Sequence, residues 1–358
     1  MDFAFNEEQE MLRDQARGFL SSKFPSDDRI GDPTPDPAWK EIADLGWLGL
    51  SVVEERGGAG MGFLEEAVVF EEMGRALYPG PYLSTVGLAL PALTDDTLRK
   101  VVAGEAPATL AWQEPSTRIS LADLEGLGTK AESSDGAWTL TGEKHLVTDA
   151  ASADVIVVAA QTTDGPALFE VDASDVEVTT GKTIDETRPV GRVSLTGTSA
   201  RMAVEPGSIA EVVRRIRLRV LAALALEGVG VAQQVLDLAK AHAGERKQFD
   251  KPIGVYQAVS HQIANTYMAT ELARSLAYWA AWCVSEDHEQ VDQAVAAAKA
   301  AASEAVLEAC ERSIQVHGGI GFTWEHVLHR YYKRAQAIAA FDGSPSSHRA
   351  AVADSLFG

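Results

Sequence analysis

Hydrophobic positions recur along this chain in three regimes, and each predicts a different kind of structure. From Glu7 to Leu20 the apolar residues Met11, Leu12, Ala16, Phe19 and Leu20 fall at helical spacing. Trp39 to Leu48 and Leu64 to Leu77 carry the same stripe, and another helical stretch runs from Tyr82 to about Val102. The breaks between them are chemical. Gly31 to Pro37 contains Pro33 and Pro35, Gly57-Gly58-Ala59-Gly60 is glycine-rich, and Tyr78-Pro79-Gly80-Pro81 cannot continue a helix. From Ala108 to about Pro206 the period shortens. Trp138 to Thr148 alternates around a turn glycine, Gly142; Val155 to Ala160 reads as a buried strand; Ala167 to Val171 and Arg192 to Thr196 follow. From Ser208 onward the pattern is helical again, in four long stretches: Ile209 to Ala243, Tyr256 to Val284, Gln290 to Ile314 and Trp324 to Ala340. Short connections imply antiparallel neighbours and a four-helix bundle, with enough exposed apolar surface to favour an oligomer. The expected architecture is multidomain α+β: an all-α domain over residues 1–107, a small β-barrel or sheet over 108–206, and a helical bundle over 207–358.

Composition narrows the function. The 358 residues are 46% hydrophobic and 23% charged, ordinary for a globular protein with a large core. A net charge of −21 argues against nucleic acid or an anionic membrane as partner, and means that a phosphate-bearing ligand needs local basic residues. Cys283 and Cys310 sit in alanine-rich helical stretches, so neither a disulfide framework nor metal-ligand spacing is present and no metal is expected. The acidic start, Met1-Asp2-Phe3-Ala4-Phe5-Asn6, lacks a signal-peptide core, and no apolar run reaches the roughly 18 residues that span a bilayer. A cytoplasmic protein is expected.

Two stretches carry the chemistry, each where a long helix stops. Gly244-Glu245-Arg246-Lys247-Gln248-Phe249-Asp250-Lys251-Pro252-Ile253 sets an arginine, a glutamine and an aromatic ring beside a proline. Gln315-Val316-His317-Gly318-Gly319-Ile320-Gly321-Phe322 sets three glycines where backbone N–H groups can approach an anion. Each alone reads equally as a helix terminus, since glycine is common there. Together they suit a phosphate or pyrophosphate. The glycines of 57–62 do not make a dinucleotide fingerprint, because no βαβ unit surrounds them.

With these stretches in place, the whole chain resembles the acyl-CoA dehydrogenase family of flavoproteins. Matching residues include Leu48-Gly49-Leu50, Gly57 to Gly60, Glu71-Glu72-Met73-Gly74-Arg75-Ala76-Leu77, Leu140-Thr141-Gly142-Glu143-Lys144 and Ala153-Asp154. The strongest are Arg246 to Phe249 with Pro252-Ile253 and Gln257, and Gln315 to Phe322. The resemblance implies FAD held by residues of two subunits. Arg246 would bond a pyrophosphate oxygen, with Gln248, Phe249 and Gln257 lining the same region. Gln315, Val316, His317, Gly318 and Gly319 would meet the ADP part across a subunit interface. It also implies an acyl-CoA substrate, an electron-transfer flavoprotein as acceptor, and a homodimer, a tetramer, or a heterotetramer with a homologous subunit. In the family reaction a carboxylate takes the α-proton of the thioester while the β-hydrogen leaves as hydride to the flavin.

The base is where the chain departs from the family. The usual Tyr-Glu-Gly-Thr segment appears as Phe341-Asp342-Gly343-Ser344, so the candidate base is Asp342, one methylene shorter, with Ser344 as a cofactor contact. The alternative glutamate position early in the long helix is Val220, and Glu227 reads as a buried, hydrogen-bonded carboxylate. In the β-domain the flavin-ring segments are also altered: Glu114-Pro115 is followed by Ser116 to Ser120 without Gly-Ser-Asp, and Leu146-Val147-Thr148 keeps only the threonine. A strong ADP half and a weak ring half resemble one chain of a heteromeric steroid-CoA dehydrogenase. Two readings stay open: a catalytic chain using Asp342, or a supporting subunit whose partner supplies the base.

Overall fold

The computed structural model describes residues 5–26, 32, 34, 36–115, 120–122 and 124–358. Residues 1–4 of the acidic start, residues 31, 33 and 35 of the Gly31–Pro37 loop and residues 116–119 of the altered ring segment lie outside the described residues. The helices are α1 (Glu7–Lys23), α2 (Trp39–Asp44), α3 (Phe63–Arg75), α4 (Asp95–Val102), α5 (Ile209–Glu245), α6 (Gln257–Ser285), α7 (Val291–His317), α8 (Leu328–Ala340) and α9 (Pro345–Phe357). The strands are β1 (Ala108–Ala111), β2 (Lys130–Ser134), β3 (Ala137–Thr148), β4 (Val155–Thr162), β5 (Gly165–Asp172), β6 (Glu177–Thr180), β7 (Val190–Val204), β8 (Lys247–Gln248) and β9 (Lys251–Pro252). The fold is multidomain α+β, and its contacts group into two units. One comprises Met1–Pro35, Gly62–Pro79 and Leu221–Gly358; the other comprises Asp36–Met61 and Gly80–Val220.

In the helical unit, α1 begins at a reciprocal cap: Asn6 Oδ1 accepts from Gln9 N at 2.8 Å, and Asn6 N donates to Gln9 Oε1 at 3.1 Å. The α5 helix is 37 residues and about 55 Å long, and its part from Leu221 onward belongs to this unit. It is long and apolar enough to cross a bilayer, contrary to the expectation from sequence. Yet 83% of its apolar window is buried against protein, as in a core helix. Glycines let α3 and α5 touch backbone to backbone. A Cβ on Gly230 would lie 1.9 Å from Glu71 O, and one on Gly74 would lie 2.1 Å from Glu227 O. The acidic motif of α3 then pins its neighbours: Arg274 Nε and Tyr278 Oη donate to Glu71 at 3.1 and 2.8 Å, and Arg17 Nη2 donates to Glu72 at 2.6 Å. A fifth C-terminal helix, α9, was not expected.

In the second unit, the strand order β1-β4-β2-β3-β7-β5 closes where β5 pairs back onto β4, making a small barrel, with β6 added on β7. Leu140, Ile156, Val158, Phe169, Val193 and Leu195 fill its interior. Gly142 corrects the expectation of a turn. It lies inside the continuous strand β3 next to a register shift, where a Cβ would come within 2.6 Å of Thr129 Oγ1. Two residues on, Lys144 Nζ donates to Glu114 Oε1 at 2.7 Å, both side chains buried. Burial favours neutral Glu114, but hydrogen bonds from Lys144 and Thr129 outweigh it and hold the carboxyl at about 2.

Candidate FAD and substrate site

The first corner is built by the end of α5. Arg246 N donates to His242 O at 2.8 Å, continuing the last helical turn, and Ile253 N donates to Arg246 O at 2.8 Å. Between them β8 and β9 pair Lys247 with Pro252 and Gln248 with Lys251. The two-residue loop, Phe249 and Asp250, has φ of 51° and 61° at both positions, the backbone of a tight hairpin. Glycine and asparagine suit those positions, whereas a phenylalanine there is strained. The Phe249 ring is 88% exposed and meets Tyr256 edge-on at 6.3 Å. Tyr256 Oη donates to Gln248 O at 3.0 Å, fixing the hairpin against the start of α6, where Gln257 is exposed. Gln248 Nε2 donates to Lys247 O at 2.8 Å. The Arg246 guanidinium makes no ion pair or hydrogen bond among the described residues.

The second corner is the end of α7. Gly318 (φ 66°, ψ −140°) turns the chain in a conformation that favours glycine, and leads into a short 3₁₀ turn from Gly318 to Phe322. A Cβ built on Gly318 or Gly319 would meet nothing within 4 Å, so that backbone is bare on its outer side. Gln315 is exposed there, whereas Val316 and His317 are buried.

These corners adjoin within one protomer. Ala239, Ala243 and Val316 share a cluster with Ile253, and the His242 ring stacks on His317 at 4.3 Å and 26°. The His326 ring meets that of His317 at 4.6 Å in a tilted contact. His317 Nδ1 donates to Ser313 O at 2.8 Å, while burial and then the two neighbouring imidazoles push its pKa down to about 4. Burial and the Arg246 charge lower His242 also. Both shifts favour the neutral imidazole near Arg246. A guanidinium with no partner among the described residues, at a corner that adjoins open glycine backbone, is a donor set that fits the diphosphate of FAD.

Asp342 follows α8 at φ 47°, half-buried. Beneath it, Lys299 is wholly buried in α7, and its Nζ donates to Ile338 O at 2.8 Å and to Ser303 Oγ at 3.2 Å. Burial lowers Lys299 to about 8, and the Asp342 charge opposes that shift. Ser344 Oγ accepts from Ser347 N at 3.2 Å and so caps α9, a role the sequence did not reveal. Thr148, in the other unit, ends β3 almost fully buried, its carbonyl accepting from Thr109 Oγ1 at 2.6 Å. Glu227 is the buried carboxylate anticipated, held by Arg334 Nη1 at 2.5 Å, and Val220 is buried and apolar. Sequence reasoning missed His242, His326, Tyr256 and Lys299; only His242, one helical turn before Arg246, left a readable signal.

A helical unit, a small barrel and an anion corner at helix ends define a flavin-dependent dehydrogenase architecture. The sequence profile for the acyl-CoA dehydrogenase N-terminal domain matches residues 6–98, and that for the C-terminal domain matches residues 219–357. The acyl-CoA dehydrogenase IpdE2 of Mycobacterium tuberculosis is 32% identical over 308 residues, covering 86% of this chain and 82% of its own. Among solved structures, the Tcur3481–Tcur3483 steroid ACAD is 30% identical with a TM-score of 0.83, covering 98% of both chains. A glutaryl-coenzyme A dehydrogenase with glutaryl-CoA is 27% identical with a TM-score of 0.91, covering 99% of this chain and 97% of its own. This chain belongs to the acyl-CoA dehydrogenase family. It is an oxidoreductase whose cofactor is FAD and whose substrate is an acyl-CoA thioester.

Proposed function

We propose that this chain is one subunit of a heteromeric acyl-CoA dehydrogenase that introduces an α,β double bond into a bulky, steroid-derived acyl-CoA. The observation that carries this reading is the imbalance between its two half-sites. Arg246, Gly318 and Gly319 offer a guanidinium and open backbone suited to a diphosphate, while the loop that matches the family's base segment carries Asp342 near a buried lysine. The relatives named for steroid chemistry and for paired chains support it. In this reading Arg246 bonds the diphosphate, the Gly318–Gly319 backbone donates to it, Gln248, Phe249, Gln257 and Gln315 line the same corner, and the Thr148 hydroxyl donates toward the flavin ring. Bound FAD supplies the hydride acceptor. Asp342 takes the α-proton, and an electron-transfer flavoprotein reoxidises the enzyme in the cytoplasm. The divisions near residues 107 and 206 belong to the same proposal.

A second reading, favoured by the Lys299–Asp342 proximity, makes the chain a supporting subunit whose homologous partner holds the base. One experiment separates them. The chain is purified alone and with a homologous partner, the visible flavin absorbance per chain is measured, and bleaching by acyl-CoA is followed. Low loading alone and full loading with the partner are expected. Full loading and ordinary turnover by the isolated chain reject the heteromer. Asp342→Ala lowers the bleaching rate by about a hundredfold or more if Asp342 is the base, and leaves it unchanged if the partner supplies one.

A further inference from the structure

The start of α5 reverses the sign of this acidic chain. Arg214, Arg215, Arg217 and Arg219 fall within six residues, against only Glu205 and Glu211 between positions 204 and 220. At 3.6 residues per turn the four fan over about 200° of the helix, a broad cationic face rather than a single pair. Arg215 and Arg219, one turn apart, join Arg56 around a concavity of about 180 Å³ walled by Val52, Leu90 and Pro91. Arg219 is 9% exposed and donates from Nη2 to Ser51 Oγ at 3.2 Å. The other two face carboxylates at the rim: Arg56 meets Asp95 at 2.5 Å, and Arg215 meets Glu211 at 3.4 Å. Those acids are 65% and 85% exposed, so water screens them and they neutralise the cations weakly.

We infer that this arginine concavity binds a phosphate monoester of the substrate's CoA tail, an assignment that rests on the acyl-CoA reading above. Three guanidinium groups beside apolar walls hold a dianion by charge-assisted, fork-like hydrogen bonds that lysines would not reproduce. The cavity suits one phosphate group rather than a nucleobase with its ribose. A chain of net charge −21 repels a polyanionic tail on average, so a local cationic seat favours where that tail docks. The same phosphate chemistry is available from free inorganic phosphate, and the test tells the sources apart.

The full flavin-loaded protein is titrated calorimetrically with CoA, dephospho-CoA, pantetheine and inorganic phosphate. CoA is expected to bind about tenfold or more tightly than dephospho-CoA, an advantage that shrinks as salt rises. Arg215→Gln, at an exposed position, and Arg56→Gln, at a half-buried one scored only if its far-ultraviolet spectrum matches the parent, should remove that advantage while pantetheine binding stays unchanged. Arg219→Gln should do the same and is scored only if its far-ultraviolet spectrum matches the parent. Equal affinity for CoA and dephospho-CoA overturns the inference, as does unchanged CoA affinity in Arg215→Gln and Arg56→Gln. Tight inorganic phosphate that fails to compete with CoA marks an ion site only and overturns it too. Failure of the parent protein to bind CoA at all sinks the acyl-CoA reading instead. Thioester oxidation by a parent that the variants equal sinks this inference alone.

Discussion

At the scale of single residues, two buried acids are closed off in ion pairs, while the Arg246 charge makes no pair among the described residues. Glu227 with Arg334 and Lys144 with Glu114 are each closed ion pairs inside the protein. Breaking such a pair costs about 3–5 kcal/mol, because it strands a charge, so these acids serve the fold and not proton transfer. Arg246 is the opposite, an arginine at a helix end with no acceptor among the described residues. The histidines beside it make a testable link to pH. His317 titrates near 4 in the folded chain, below the 6.5 of an ordinary imidazole, because burial and its neighbours disfavour the charge. Between those two values the unfolded chain binds a proton that the folded chain refuses. The contribution of His317 to stability is therefore fully present above pH 6.5 and is lost as pH falls toward 4. Thermal melts of the parent and of His317→Gln across that window should show a steeper acid-side decline in the parent. Parallel slopes would mean that His317 is not held neutral.

At the scale of elements, motifs that look like function in the sequence turn out to be joints. Glu71, Glu72 and Gly74 tie α3 to α1, α5 and α6, and Gly142 lets β3 pass Thr129. The β8–β9 hairpin is different, because it holds an aromatic residue in a left-handed conformation that costs about 1–2 kcal/mol, with its ring in solvent. Strain of this kind persists where the residue serves something beyond the fold. Replacing Phe249 by Gly should raise the stability of the isolated chain by about 1 kcal/mol, read by denaturant unfolding, while lowering its flavin content in the assembled enzyme. A gain in stability with undiminished flavin content would show that the exposed ring plays no part in the cofactor corner.

At the scale of the whole molecule, a charge of −21 repels itself, and salt should relieve that repulsion. Raising ionic strength from about 0.02 to 0.5 M is expected to lift the melting temperature by about 2–4 °C, the equivalent of ~1 kcal/mol in units of this size. A falling melting temperature would mean that attractive surface pairs outweigh net repulsion. Most elements were legible in advance because their signal is local. Helical and strand periods predicted α5, α6, α7, α8, β3, β4, β5 and β7, since burial of one face leaves its spacing in the sequence. The family motifs likewise pointed to Arg246 and Gly318. The short strands β1, β2 and β6 and the weakly amphipathic α9 carry too few periods to read. Pairings between separate elements leave no spacing at all: Arg334 with Glu227, Lys299 with the end of α8, and the imidazole stack of His242, His317 and His326 were decided by packing. Local periodicity and motif thus determined which helices and strands form and where an arginine and bare glycine backbone fall at helix ends. Only the tertiary structure decided which charges are cancelled and which remain for a ligand, because desolvation and partnership are properties of neighbours in space.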